Sequence, residues 1–177
     1  TRIVAQIVAS FVMIYVGGVV LVDLDGLDPG GATLYLGVLS VPFTVFATLG
    51  VINAMNMCDG LDGLSGSLAL VGLLGFGIAN ALWGAPEYQQ LIIVFSACVI
   101  SFLAFNLRTL WRPKAWVFLG DAGSMLLGIT LSWVAIALTQ GEGRVISPAA
   151  ALWFLMVPIY DAVSMMVRRL LRGRSPF

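Results

Sequence analysis

Histidine is absent from the 177 residues of this chain, and charged residues make up only 10% of them. Without histidine, these residues offer no imidazole for acid–base catalysis, no histidine metal ligand and no Ser-His-Asp triad. Soluble domains carry roughly 25% charged residues, so the scarcity of charge excludes an ordinary soluble domain. The nine basic and nine acidic residues cancel, which leaves no net field to attract nucleic acid. We therefore expect no nucleic-acid partner.

Cysteine is scarce as well. Cys58 and Cys98 are the only two, too few and too far apart for a disulfide framework. Hydrophobic residues, in contrast, make up 60% of the chain, and the mean hydropathy is +1.01. The apolar runs are long and continuous, whereas membrane barrels show segments of about ten residues with alternating polarity. The sequence therefore predicts an all-α, polytopic transmembrane helical bundle in a lipid bilayer.

Six apolar runs approach the roughly 20 residues that a helix needs to cross a membrane. Segments rich in Gly and Pro separate them, and Pro158 is expected to bend the last one. We predict one membrane domain over residues 1–177, and because the chain starts with Thr1, we expect it to be an internal piece of a longer protein. The predicted helices are Ile3–Val22, Leu36–Met55, Leu64–Trp83, Leu91–Leu107, Gly123–Leu138 and Ala149–Val167.

The basic residues are distributed unevenly between the two ends of these helices. If the ends alternate across the membrane, Arg144 is alone on one side. The positive-inside rule makes the opposite side cytoplasmic. That side holds the other eight basic residues, Arg2, Arg108, Arg112, Lys114, Arg168, Arg169, Arg172 and Arg174.

The segment Asn53-Ala-Met-Asn56-Met-Cys-Asp59-Gly-Leu-Asp62-Gly-Leu falls on the cytoplasmic side. Residues three apart share one helical face, so Asn53, Asn56 and Asp59 can face the same cavity. Helix capping explains one of the two carboxylates, but it leaves the other and both asparagines unexplained. Because polar groups at a membrane are costly and usually functional, we favour a site here.

A second polar segment, Gly120-Asp121-Ala-Gly-Ser124, precedes the fifth predicted helix on the same side. Asp121 is either the N-cap of that helix or a ligand for Mg²⁺, which prefers one or two carboxylates together with phosphate oxygens and waters. Ser124 either caps the helix or contacts phosphate. The second carboxylate motif on the same side favours the metal.

The sixth predicted helix carries a further carboxylate and a basic end. Asp161 is expected to be buried with a cation or amide as partner, in either a structural or a supporting role. The closing arginines, Arg168, Arg169, Arg172 and Arg174, anchor the topology, and their guanidinium groups are also suited to bidentate phosphate binding.

Together the three segments resemble the polyprenyl-phosphate N-acetylhexosamine-1-phosphate transferases of glycosyltransferase family 4. The likeness runs in order along nearly the whole chain. It is carried by the Asn53 segment, by Val117-Phe-Leu-Gly120-Asp121-Ala-Gly-Ser124 and by the closing Arg168-Arg-Leu-Leu-Arg-Gly-Arg-Ser-Pro-Phe177.

The resemblance implies a multi-pass enzyme of the bacterial inner membrane with its active site on the cytoplasmic face. Such enzymes transfer N-acetylglucosamine-1-phosphate, or a related sugar phosphate, from a UDP-sugar donor to undecaprenyl phosphate and release UMP. This is the first membrane step of lipid-linked surface polysaccharide synthesis, such as O-antigen. The implied cofactor is Mg²⁺, with Mn²⁺ as the alternative ion.

Matched by position, Asp121 is the implied metal ligand, and Asp59 and Asp62 are the implied catalytic pair. Asn53 and Asn56 match polar residues of the pocket. We assign the remaining substrate contacts to Gly120, Ser124, Arg172 and Arg174. Family members also carry an Asp-Asp pair and a His-rich segment that these 177 residues lack, so independent activity of this piece is left open.

Two rival functions remain at this stage. A secondary transporter also uses Asp residues within the membrane, but near the midplane and between repeated halves, and we find no repeat. A non-catalytic fragment of the transferase is the other. The sequence leaves four matters open. These are the sugar that is used, the pathway that the product enters, whether the protein forms a homodimer, and whether the mechanism has one step or two steps with a covalent intermediate.

Overall fold

The computed structural model describes residues 2–28, 30, 32–84, 86–108 and 113–173. Within them the chain is predominantly helical, and its one β-bridge joins Asp23 to Tyr35. Short 3-10 turns at Gly37–Leu39 and Cys58–Gly60 flank the second helix. The α-helices are α1 Arg2–Tyr15, α2 Ser40–Met57, α3 Leu64–Trp83, α4 Pro86–Asn106, α5 Gly120–Ala137, α6 Pro148–Phe154 and α7 Met156–Leu171.

Four of the described helices, α2 to α5, are long and apolar enough to cross a membrane. The α6–α7 pair passes the same test when it is taken as one broken span with a bend of 76°. The prediction of an all-α transmembrane bundle is therefore confirmed.

The first predicted helix, Ile3–Val22, is too long, because α1 ends at Tyr15. Gly17 and Gly18 follow the helix end, where glycine commonly terminates a helix. The next apolar residues fold back in an irregular connection to α2, in which the backbone N–H of Leu21 donates to Thr44 Oγ1 at 2.9 Å. Side chains thus satisfy backbone groups that a continued helix would have paired internally.

The last predicted helix, Ala149–Val167, is broken into α6 and α7 at Leu155. Pro158 explains the position of the break. Proline has no N–H to bond the carbonyl four residues earlier, and its ring clashes with that carbonyl, here the one of Phe154. In the first turn of a new helix, where Pro158 now lies, neither problem arises.

The core forms where α2 and α5 approach most closely. At Gly128 on α5, an added Cβ would lie 2.5 Å from the Cα of Ile52 on α2, so only glycine permits this contact. Small residues at such crossings are typical of membrane helix pairs, which associate through close packing. Met55 and Leu131, both nearly inaccessible, extend the same contact.

Replacing Gly128 with Ala should destabilise the bundle. The new methyl group would push the backbone of α2 away, and overpacking of this kind costs about 2 kcal/mol. The matched control is Gly50→Ala, also within a helix, where nothing lies within 4 Å of the added carbon. Thermal unfolding in detergent should show a lower midpoint for Gly128→Ala and an equal or higher one for Gly50→Ala. Equal midpoints for the two variants would contradict the proposed close contact.

Candidate active site

Asp121 lies in the first turn of α5, immediately after Gly120, whose φ of +67° is favoured by glycine. One carboxylate oxygen, Oδ1, accepts a hydrogen bond from the amide Nδ2 of Asn56 at 3.0 Å. The other, Oδ2, pairs with Nη2 of Arg2 at 2.5 Å. The same Asn56 nitrogen donates to Oγ of Ser124 at 2.9 Å. The ends of α1, α2 and α5 therefore meet at one carboxylate.

Helix capping does not account for Asp121. The N-cap residue of α5 is Leu119, which makes no side-chain cap bond, and Asp121 directs its oxygens to other helices. Ser124 is fully buried. Its hydroxyl donates to the carbonyls of Gly120 and Asp121 in its own helix. Because the same oxygen accepts from Asn56 Nδ2, Ser124 helps to hold the Asn56 amide in place.

Asp59 lies in the 3-10 turn that follows α2. Its carboxylate faces the backbone N–H of Gly120 and is close enough to Asp121 for the two charges to repel each other. The carboxylates of Asp59 and Asp121 thus converge where this turn meets the start of α5. Such a pair concentrates negative charge where a cation would be stabilised.

Asp62 has a different partner: its Oδ2 accepts from Nε of Arg108 at 2.7 Å. The next residue, Gly63, has a φ of +83° and is the N-cap of α3 without any side-chain cap bond. Asp62 is therefore not the cap of α3. Its carboxylate is held by Arg108, two residues beyond the end of α4.

Asn53 does not join the Asn56 cluster. Its amide pairs reciprocally with Gln6 of α1, at 3.1 and 3.4 Å, and also donates to the carbonyl of Leu49. Gln6 is 5% exposed, so this pair satisfies two amides inside the bundle. The substrate contact assigned to Asn53 stays a prediction.

Asp161 in α7 differs from expectation, and the substrate contacts assigned to Arg172 and Arg174 stay predictions. Asp161 was expected to be buried and partnered, but it is exposed and makes no hydrogen bond or ion pair within the described residues. It lies near Cys58 at the end of α2. Arg172 is exposed just beyond α7, and Arg174 lies outside the described residues.

A magnesium site at Asp121 is compatible with the donor set. In the described part of the chain, no group of three or more His, Cys, Asp or Glu residues could hold a metal. Mg²⁺ does not require such a group, since it is commonly bound by one or two carboxylates plus phosphate and water. The guanidinium of Arg2 on Asp121 shows that this carboxylate accepts a cation, and Asp59 supplies a second carboxylate nearby.

The opposite end of the bundle has a different polar cluster. Arg144 pairs with both Asp23 and Asp25, and Gln140 accepts from the backbone of the α1–α2 connection. An apolar cavity of about 150 Å³ lies near this end, among that connection, α2, α5 and α6, and no charged residue lines it. A cavity without charge or metal ligands is unsuited to a nucleotide, so the candidate site is the Asp121 end.

Sequence reasoning did not identify three polar residues as contacts that hold the segments of the site together: Arg2, Asn106 and Arg108. Asn106 ends α4, is 6% exposed, and bonds to the backbones of Gly63 and Val117. The available signal was a lone amide or cation at the end of an apolar run. That signal marks a helix boundary equally well, so it did not single these residues out.

Comparison with known proteins agrees with the motifs. The family model described as Glycosyl transferase family 4 matches residues 1–139. Two relatives named undecaprenyl-phosphate alpha-N-acetylglucosaminyl 1-phosphate transferase are each 38% identical to this chain. The match to the Haemophilus influenzae protein covers 97% of this chain and 48% of the relative. The match to the Escherichia coli K12 protein covers 99% of this chain and 47% of the relative. The chain thus spans about half the length of the curated relatives it matches. The resemblance inferred from the motifs is confirmed, and the chain belongs to glycosyl transferase family 4.

Proposed function

We propose that the complete protein transfers N-acetylglucosamine-1-phosphate from a UDP-sugar to undecaprenyl phosphate and releases UMP. The observation that carries this proposal is the Asn56–Asp121 contact, with Asp59 beside it. These residues place two carboxylates at one end of a membrane bundle. A metal ion held there could meet both the phosphate of a membrane lipid and a soluble nucleotide sugar. The names of the relatives supply the sugar and the lipid.

The proposed setting is the cytoplasmic face of the bacterial inner membrane. Arg2 and Arg108 contact carboxylates at the Asp121 end, while Arg144 is at the other end. This distribution supports a cytoplasmic orientation of the site under the positive-inside rule. A UDP-sugar is available in that compartment, and the acceptor phosphate would lie at the same membrane surface. The reaction would be the first membrane step of lipid-linked surface polysaccharide synthesis.

The reaction replaces one phosphoanhydride bond with another. An oxygen of the acceptor phosphate bonds to the sugar-bearing phosphorus of the donor, the anhydride bond to UMP breaks, and UMP leaves with that electron pair. Because the acceptor phosphate is anionic near pH 7, a strong general base is not required. Direct attack is therefore simpler than a covalent aspartyl intermediate.

Each residue has a proposed role in this step. Asp121 would hold Mg²⁺, which when bound offsets the charge of the donor pyrophosphate. Asn56 fixes the orientation of the Asp121 carboxylate through Oδ1, leaving Oδ2 for a cation. Asp59 and Asp62 would position the metal, a water molecule or the acceptor. Exposed Arg172, together with Arg174, would contact substrate phosphate.

A transporter is less well supported. Membrane transporters bind their cargo near the midplane between repeated halves, whereas the clustered carboxylates here lie at helix ends. Membership of a glycosyltransferase family also favours group transfer.

Replacing Asp121 with Asn in the complete protein should abolish Mg²⁺-dependent UMP release, because a neutral amide cannot offset the charge of the metal. Release of UMP from UDP-N-acetylglucosamine in the presence of undecaprenyl phosphate is the measurement. Glu142→Gln, a matched change at the exposed opposite end, should retain activity. Chelation of the metal should stop the wild-type reaction, and added Mg²⁺ should restore it. Full activity of Asp121→Asn would eliminate the metal role.

Replacing Asn56 with Ala should weaken the affinity for Mg²⁺ without abolishing the reaction. Loss of a residue that orients a metal ligand typically lowers metal affinity roughly 10- to 100-fold. A titration of UMP release with Mg²⁺ should therefore show half-saturation at a correspondingly higher concentration. The rate at saturating Mg²⁺ should recover in part. An unchanged half-saturation point would show that Asn56 does not act through the metal ligand.

A further inference from the structure

Three consecutive residues at the end of α4 contact the turn that carries Asp62. Asn106 Oδ1 accepts from the backbone N–H of Gly63 at 2.6 Å. Leu107 packs so closely that a Cβ on Gly63 would lie 2.4 Å from its side chain. Arg108 Nε donates to Asp62 Oδ2 at 2.7 Å. The backbone and the carboxylate of the turn are therefore both fixed by one short segment, residues 106–108.

The same segment also contacts the chain that leads to Asp121. Nδ2 of Asn106 donates to the carbonyl of Val117 at 2.7 Å, and the backbone N–H of Trp116 donates to the carbonyl of Phe105 at 3.0 Å. The end of α4 thus lies between the turn before α3 and the segment before α5. Movement of this end would shift both carboxylate-bearing segments.

Exposure differs sharply between the two ionic partners. The side chain of Asp62 is 15% exposed, whereas that of Arg108 is 63% exposed. An ion pair with so exposed an arginine adds little to stability. The contact can nevertheless restrict which way the largely covered Asp62 carboxylate points. Residue 108 is therefore better suited to orienting Asp62 than to holding the fold together.

We propose that residues 106–108 position the Asp62 carboxylate relative to Asp121, and that Arg108 is the positioning residue that orients Asp62. This role rests on the proposed transferase function, because it assumes that Asp62 acts on bound substrate or metal. The action of Arg108 is indirect: it contacts Asp62 rather than the reacting atoms. A displacement of about 1 Å in a catalytic group can cost as much as a hundredfold in rate.

The first test compares Arg108→Gln, Arg108→Lys and the control Lys114→Gln in the complete protein. Lys114 carries the same charge on the same connection, is exposed, and makes no hydrogen bond or ion pair within the described residues. Arg108→Gln should lower kcat roughly tenfold with little change in the donor KM or in thermal unfolding. Arg108→Lys, which keeps the charge, should recover most of the rate, and Lys114→Gln should match the wild type. An unchanged kcat in Arg108→Gln, or an equal loss in Lys114→Gln, would overturn the proposal.

The second test does not depend on turnover. Hydrogen–deuterium exchange should be faster in the Gly60–Leu64 segment of Arg108→Gln than in the wild type, and unchanged in Lys114→Gln. If the wild-type protein releases no UMP, the proposed function fails, and exchange alone then decides whether Arg108 orders this turn. Identical exchange in Arg108→Gln and wild type would overturn the positioning role in either case.

Discussion

The close contact between α2 and α5 is the constraint on which the rest of the structure depends. Gly128 lets the two backbones approach at Ile52. One helical turn later on α2 and one turn earlier on α5, that approach brings Asn56 beside Ser124, and Asn56 also reaches Asp121. Because residues four apart lie on one helical face, the packing of the apolar core also sets the geometry of the polar end. A change that separated the helices would therefore disturb the site without touching it.

Several buried polar groups of the bundle pair with one another, as the low dielectric of a membrane favours. Gln6 and Asn53 satisfy each other between α1 and α2, and Thr44 accepts a backbone N–H from the connection that follows α1. Charged residues are instead segregated to the two ends, with Arg144 and its two aspartates at one end. The bundle therefore separates a structural ionic cluster from the one with candidate chemistry.

Sequence patterns predicted the features that depend on local composition, and they failed where tertiary contacts decide. Long apolar runs located α3, whose predicted and observed limits both run from Leu64 to Trp83. The early end of α1 depended on hydrogen bonds from distant residues, so hydropathy alone extended the helix too far. Pro158 correctly signalled the bend between α6 and α7, because the clash of its ring with the Phe154 carbonyl is local. The spacing of Asn53 and Asn56 predicted a shared face, yet Gln6, 47 residues away from Asn53, accepts the Asn53 amide hydrogen bond.

The two ion pairs of the candidate site differ in a way that suits different roles. Arg2 and Asp121 are both substantially exposed, at 67% and 48%, so water screens their attraction and separating them costs little. A divalent cation with its phosphate ligands could replace Arg2 on Asp121 without leaving a buried charge uncompensated. The Asp62 side chain is only 15% exposed, so a hydrated divalent cation has less room to reach it than to reach Asp121. These exposures suit Asp121 to the proposed exchange of Arg2 for a metal, and Asp62 to the proposed fixed orientation beside Arg108.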